Sequence, residues 1–188
     1  MGVDEVGRGC LAGSVFAAAV ILPREEEHEE WISKITDSKK ISAKKREYLA
    51  DLIMKYSVWY VSYSSPSKID KINILNATLE TMREAVEAAS LIQEPDVVLV
   101  DGNKLIPNLK YPQECIKSGD SAVKAIGAAS IIAKVMRDAE MSAFHSIHPE
   151  YGWVKNKGYG TKEHRQAIMV HGVTELHRRS FKGVAEYV

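Results

Sequence analysis

The sequence predicts a layered α/β domain, and three patterns carry that reading. Short apolar runs rich in Val, Ala and Ile stop at Pro or at Asp-Gly, as buried strands do. They alternate with longer stretches in which apolar residues recur every three or four positions, the spacing of a helix with one face on a core. Only brief breaker clusters separate them, with neither an internal repeat nor a low-complexity linker. Strands and helices in alternation bury their apolar faces in stacked layers.

In chain order, Gly2-Val3 leads through Asp4, Glu5 and Val6 into Gly7-Arg8-Gly9, which places both acids where a first strand leaves the sheet. Neighbouring strand residues point to opposite faces, so both acids serve one site only if the chain turns there, and the glycines make a turn feasible. With only Met1-Gly2-Val3 ahead of the pair, little strand is expected to hold it. Val15 to Leu22 ends at Pro23 and reads as a buried strand. Val58 to Ser62 reads as another, since Trp59 and Tyr60 favour strands. From Asn73 to about Leu91, Leu75, Leu79, Met82 and Ala85 form a helical stripe. Glu94-Pro95-Asp96 breaks it, and Val97 to Val100 is a buried strand that delivers Asp101 at its C-terminal edge, next to Gly102. Cys115-Ile116-Lys117 suggests a short strand before Gly119-Asp120. Ala125 to Met141 is helical, and Ala128, Ala129, Ser130 and Ala133 permit close packing on a sheet. Thr161 to His171 is a further helix, with Thr161 as N-cap and Gly172 as stop.

Bulk properties narrow the function. A chain of 188 residues, 45% apolar and 27% charged, suits one globular domain over residues 1–188. The longest apolar run is too short to cross a bilayer and no basic-then-apolar leader precedes it, so a cytoplasmic protein without membrane partners is expected. The two cysteines, Cys10 and Cys115, supply neither a disulfide framework nor a zinc spacing, and the closest histidine pair, His145 and His148, lacks partner ligands. Zero formal net charge argues against a protein that coats nucleic acid indiscriminately. Base nevertheless gathers at Lys39-Lys40, at Lys44-Lys45-Arg46 and at Arg178-Arg179 with Lys182, while acid gathers between Glu25 and Glu30. A basic groove and a separate acidic face are therefore compatible with neutrality.

Asp4, Glu5, Asp101 and Asp120 all fall at element termini. Singly, each suits a turn or cap. Together they offer the oxygen ligands that hard divalent cations require, and two such ions suit phosphodiester cleavage.

Asp4-Glu5-Val6-Gly7-Arg8-Gly9 followed by Leu11-Ala12-Gly13 resembles the opening signature of the ribonuclease HII family. The likeness continues through Asp37-Ser38-Lys39-Lys40, the Asn73 to Leu79 block, Val100-Asp101-Gly102, Lys117 to Asp120, Ala128 to Val135 with Arg137-Asp138, Gly158-Tyr159-Gly160-Thr161 and His177 to Phe181. The resemblance implies a ribonuclease H-like fold, a mixed central sheet flanked by helices, with a C-terminal helical extension over about residues 140–188 that helps to clamp substrate. It implies that Asp4, Glu5, Asp101 and Asp120 hold two magnesium or manganese ions, Mn2+ or Mg2+, and that water cuts the RNA strand of RNA/DNA hybrids, and 5′ to single ribonucleotides in duplex DNA, leaving 3′-hydroxyl and 5′-phosphate ends. Such an activity belongs to ribonucleotide removal in replication and repair, and a monomer with nucleic acid as its partner is expected.

Asp138 competes with Asp120 for the fourth ligand place. Asp120 is preferred because the family's carboxylate stands ten residues before the Ser of the Ala-Ala-Ser block, the spacing from Asp120 to Ser130, and Asp138 is expected to pair on its own helix surface. For substrate, the resemblance assigns the Gly7-Arg8-Gly9 backbone to the 2′-hydroxyl and Tyr159 to the RNA-to-DNA junction, against a core tyrosine as the alternative. Lys39 and Asn73 match phosphate-contacting positions, and Arg178 and Arg179 are expected to track the backbone. The chain departs from the family at Cys10 and Ser14, where prolines are frequent, at Ser118 in place of a lysine and at Gly183 in place of a proline. Three other readings compete: a ribonuclease HIII-like nuclease, which would show threonine in place of Arg8 and an extra N-terminal domain; a related-fold nuclease or integrase, which would share the carboxylates but lack Gly7-Arg8-Gly9 and the junction tyrosine; and a silent nucleic-acid-binding module, which a missing carboxylate would favour.

Overall fold

Five strands form one mixed sheet in the computed structural model, which describes residues 1–188 apart from the side chain of Glu25. In chain order they are β1 (Gly2–Val6), β2 (Val15–Ile21), β3 (Val58–Ser64), β4 (Val98–Asp101) and β5 (Gln113–Ile116), arranged β3-β2-β1-β4-β5. β1 runs antiparallel to β2 and parallel to β4, with Asp4 opposite Ala18, Glu5 opposite Ala17 and Val3 opposite Val100. β1 is thus the central strand, held along its whole length by β2 and at its start by β4. Pairing on both sides answers the expectation of a weakly held opening segment: the Met1 carbonyl also accepts the Leu99 N–H at 2.8 Å.

The helices are α1 (Glu25–Ile32), α2 (Ala43–Tyr56), α3 (Pro66–Ile72), α4 (Ile74–Ser90), α5 (Gly119–Ala122), α6 (Lys124–Ile147), α7 (Trp153–Asn156) and α8 (Lys162–His171). Pleating sends Ala18 and Val20 to one face of the sheet, where Leu49 and Ile53 of α2 and Ala128, Ile131 and Ile132 of α6 cover them. Val3, Ala17 and Ala19 go to the other face, beneath Met82, Ala85, Val86 and Ala89 of α4. The expected strands and the helices of α4, α6 and α8 are all present, with Thr161 capping α8 by accepting the His164 N–H at 3.2 Å. α6 extends past Met141 to Ile147. Helices α1, α2, α3 and α7 were not expected. In α2 the basic run Lys44-Lys45-Arg46 masks an amphipathic helix whose buried residues Leu49, Ala50 and Ile53 follow the Ser42 cap.

Beyond the sheet, the second half of α6 continues into α7 and α8. There Leu11, Ala12, Met141, Tyr151, Trp153, Ile168 and Val184 form a separate apolar cluster. After His171 the chain is mainly turns, closing on a short 3-10 turn at Ala185–Tyr187.

Candidate active site

At the carboxyl ends of β1 and β4 the sheet brings three acids together. One carboxylate oxygen each from Asp4, Glu5 and Asp101 lie within 4.8 Å of one another. β1 does not turn between Asp4 and Glu5; it runs on through Val6, and the turn begins at Gly7 with φ +93°. The two side chains start on opposite faces, as alternation requires, and converge around the sheet's end. Asp4 is only 5% exposed and accepts the Glu5 N–H at 2.7 Å. Asp101 accepts the Gly119 N–H at 2.7 Å, which docks the first turn of α5 against the cluster.

The electrostatics of this cluster are unfavourable to an empty site. Burial pushes the Asp4 carboxyl well above its ordinary range, and the Glu5 and Asp101 charges add to the rise while the Ser130 hydroxyl works against it. Glu5 is also raised by burial, which Arg8, 3.5 Å away, offsets in part. All three donors are hard oxygens and share one small volume, so the set suits a divalent cation of the magnesium or manganese type.

Asp120 stands outside the tight group. It lies in the first turn of α5, and burial, then the charges of Asp37 and Asp101, raise it. Lys39 acts on both Asp120 and Glu5. Asp138 is paired along α6 with Lys134 at 2.6 Å.

Beside the acids lies the loop from Gly7 to Ser14, built on two buried arginines. A Cβ on Gly7 would sit 2.2 Å from Nε of Arg137, so glycine is required there by contact as well as by its positive φ. Arg137, fully buried, donates to the carbonyls of Ser14 at 3.1 Å, Ala12 at 3.2 Å and Lys157 at 2.9 Å. Glu140 accepts the Ser14 N–H at 3.0 Å, a bond that a proline at that position could not make. Sequence reasoning missed Arg137 as a structural anchor. Its signal was the spacing Ser130, Ala133, Arg137, Met141, which puts the charge on the buried face of α6.

Arg178 requires a correction. It is 0% exposed and donates to the carbonyls of Gly13 at 3.0 Å and Arg8 at 2.9 Å, so it cannot track a nucleic acid backbone directly. Adjacent Arg179 is exposed, its main-chain N–H bound to Asp70 at 2.9 Å. Tyr159 is 41% exposed, which excludes the core-tyrosine alternative, and bridges to Cys10 beside the Gly7–Gly9 turn. Lys39 is exposed close to Glu5 and Asp120. Asn73 is exposed, adopts φ +64° and caps α4 by accepting the Asn76 N–H at 3.1 Å.

A mixed sheet of this order, helix-clad and carrying acids at adjacent strand ends, is the ribonuclease H-like class of fold. Ribonuclease H2 from Pyrococcus horikoshii OT3 superposes with a TM-score of 0.79 at 26% identity, over 99% of this chain and 95% of that one. The Archaeoglobus fulgidus RNase HII, solved in complex with PCNA, gives 0.78 at 26% identity over 96% and 94%. A Bst-RNase HIII solved with Mn2+ shares the fold at a TM-score of 0.73 and 18% identity. The family model described as Ribonuclease HII matches residues 1–184. Proteins named Ribonuclease HII from Neisseria meningitidis serogroup B and Christiangramia forsetii are 47% and 48% identical, over 97% and 96% of this chain and 92% and 89% of their own lengths. The chain belongs to the ribonuclease HII family. It is a hydrolase, an endoribonuclease H that acts on nucleic acid, and its acidic cluster fits divalent metal.

Proposed function

We propose that this chain incises duplex DNA on the 5′ side of a single embedded ribonucleotide and also cuts the RNA strand of RNA/DNA hybrids, leaving 3′-hydroxyl and 5′-phosphate ends. The observation that carries the proposal is adjacency: the Asp4-Glu5-Asp101 cluster lies directly before a glycine-flanked turn, with exposed Tyr159 beside that turn. Two magnesium or manganese ions held by Asp4, Glu5, Asp101 and Asp120 would supply activation of the attacking water and stabilisation of the leaving 3′ oxygen. The chain's residues do the positioning. The Gly7-Arg8-Gly9 backbone approaches the ribose closely enough to meet its 2′-hydroxyl, the group that separates RNA from DNA. The Tyr159 ring stacks against the next sugar. Lys39, Asn73 and Arg179 contact phosphates, and Arg178 acts from beneath the turn.

The biological setting proposed is ribonucleotide removal during DNA replication and repair, by a monomer in the cytoplasm; no helix among the described residues is long and apolar enough to cross a membrane. The test is a labelled duplex with one ribonucleotide, incubated with Mg2+ or Mn2+ beside a long RNA tract paired with DNA. Cutting of both is expected, with incision 5′ to the lone ribonucleotide. Cutting of the long tract alone would replace this reading with a ribonuclease HIII-like one.

A further inference from the structure

Two guanidinium groups lie beneath the turn that carries Gly9, and their bonds fix which way its peptides face. Arg178 donates from Nη1 to the Arg8 carbonyl at 2.9 Å and from Nε to the Gly13 carbonyl at 3.0 Å, while its own N–H donates to the Leu11 carbonyl at 2.8 Å. Arg137 draws the Ala12 and Ser14 carbonyls inward in the same way. A peptide unit is planar and trans, so its N–H points opposite to its C=O. With the Arg8 carbonyl turned inward onto Arg178, the N–H of Gly9 in the same peptide faces outward. Gly9 is exposed, a Cβ there would meet nothing within 4 Å, and its N–H has no acceptor among the described residues. A donor with open space before it is thus presented on the turn that follows Asp4 and Glu5.

The bond does more than orient. A buried cation on a carbonyl polarises the whole peptide and makes its N–H a stronger donor, an effect that low local dielectric preserves. Burial lowers Arg178 from 12.5 to about 10, which leaves it protonated at neutral pH. Its Nη2 has no partner, so the charge has few competitors for the carbonyls it holds.

We propose that Arg178 is a positioning residue for ribose recognition: from beneath the loop it aims and polarises the Gly9 N–H toward the 2′-oxygen of the substrate. The proposal rests on the ribonucleotide reading above. It replaces phosphate contact with indirect control of sugar choice. Lysine cannot reproduce the fork, because one ammonium cannot meet the Arg8 and Gly13 carbonyls in the same geometry.

The experiment measures dissociation constants in Ca2+ for a duplex with one ribonucleotide and for the all-DNA duplex of the same sequence, across several salt concentrations. The proteins are wild type, Arg178→Lys and Arg178→Gln. The expected result is a preference for the ribonucleotide duplex in wild type that falls about tenfold in both variants, with the salt slope unchanged. A slope reduced by about one with the preference intact would make Arg178 a phosphate contact and overturn the proposal. Preference and slope both unchanged, with only melting temperature lowered, would make it a strut and also overturn it. If wild type itself shows no preference, the ribonucleotide reading fails first and takes the inference with it. Should either variant not fold, the wild-type Gly9 amide resonance decides: it shifts with the ribonucleotide duplex and not with DNA, and equal shifts overturn the proposal.

Discussion

Two regions bury titratable groups in opposite ways. At the ends of β1 and β4, Asp4, Glu5 and Asp101 crowd like charges into one volume, with Arg8 as a partial offset. Beyond α6, His164 and His177 sit in a nest of Tyr151 and Trp153 in which the ring nitrogens are tied into one chain of hydrogen bonds. Trp153 donates to His164 Nε2 at 3.0 Å, so the proton of His164 is on Nδ1 and faces the Tyr159 carbonyl at 2.9 Å. The Thr174 N–H donates to His177 Nδ1 at 3.1 Å, which leaves His177 Nε2–H to donate to His164 Nε2 at 3.3 Å. The first region is electrostatically incomplete, as a cation site must be before it is filled. The second is neutral and internally hydrogen-bonded, a strut in which His164 Nδ1 holds the carbonyl of half-exposed Tyr159. Unbalanced burial marks where chemistry is done; balanced burial marks what holds the chemistry in place.

The sharpest way to break the comparison is to neutralise one acid. Asp4→Asn should lower cleavage of an RNA-containing duplex by at least about a thousandfold, since a ligand is lost where charge must be stabilised. In chelator the same variant should be more stable by about 1 kcal/mol, a melting rise of roughly 3 °C, because a neutral amide relieves the burial cost. A loss of stability in chelator would show that the acid was a structural group after all.

Acidification separates the regions next. Burial lowers His177 from 6.5 to about 4, so between those pH values the unfolded chain binds a proton that the folded chain refuses. Stability from this group is complete above 6.5 and is lost as pH falls toward 4, by up to about 3 kcal/mol. The carboxylates run the other way: Asp4 is raised in the folded state, so acid stabilises that region. Urea melts from pH 7 to 4.5 should show a net decline that His177→Gln flattens; an unchanged slope in that variant would assign the acid sensitivity elsewhere.

The smallest effect sharpens the boundary of the carboxylate cluster. Asp120 lies outside the group of three, so Asp120→Asn should cost about tenfold in rate, recoverable with higher Mn2+, as expected for weakened rather than abolished ion binding. Measured rates against metal concentration would show a loss equal to that of Asp4→Asn if Asp120 is instead an equal member.

Local pattern made some of this legible and hid the rest. The strands and the helices of α4, α6 and α8 carried their own signals, and Asp4, Glu5 and Asp101 were visible as acids at strand ends. α2 was obscured because its exposed first turn is the basic run Lys44-Lys45-Arg46, and its apolar stripe begins only at Leu49. Arg178 was misread because a charge in the run Arg178-Arg179 looks solvated from sequence. The burial of one and exposure of the other follow from which face of the final loop packs on Leu11 and Gly13.

By itself the sequence determined the layered fold, the order of its principal elements and the identity of the acids, because periodicity and breaker residues act over a few positions. Tertiary structure alone decided that Asp4 and Glu5 meet without a turn between them, that Asp120 stands apart from the other three, and that Arg137 and Arg178 lie beneath the glycine turn. Each of these depends on distances between segments far apart in the chain, set by strand order and helix packing, which no local pattern encodes.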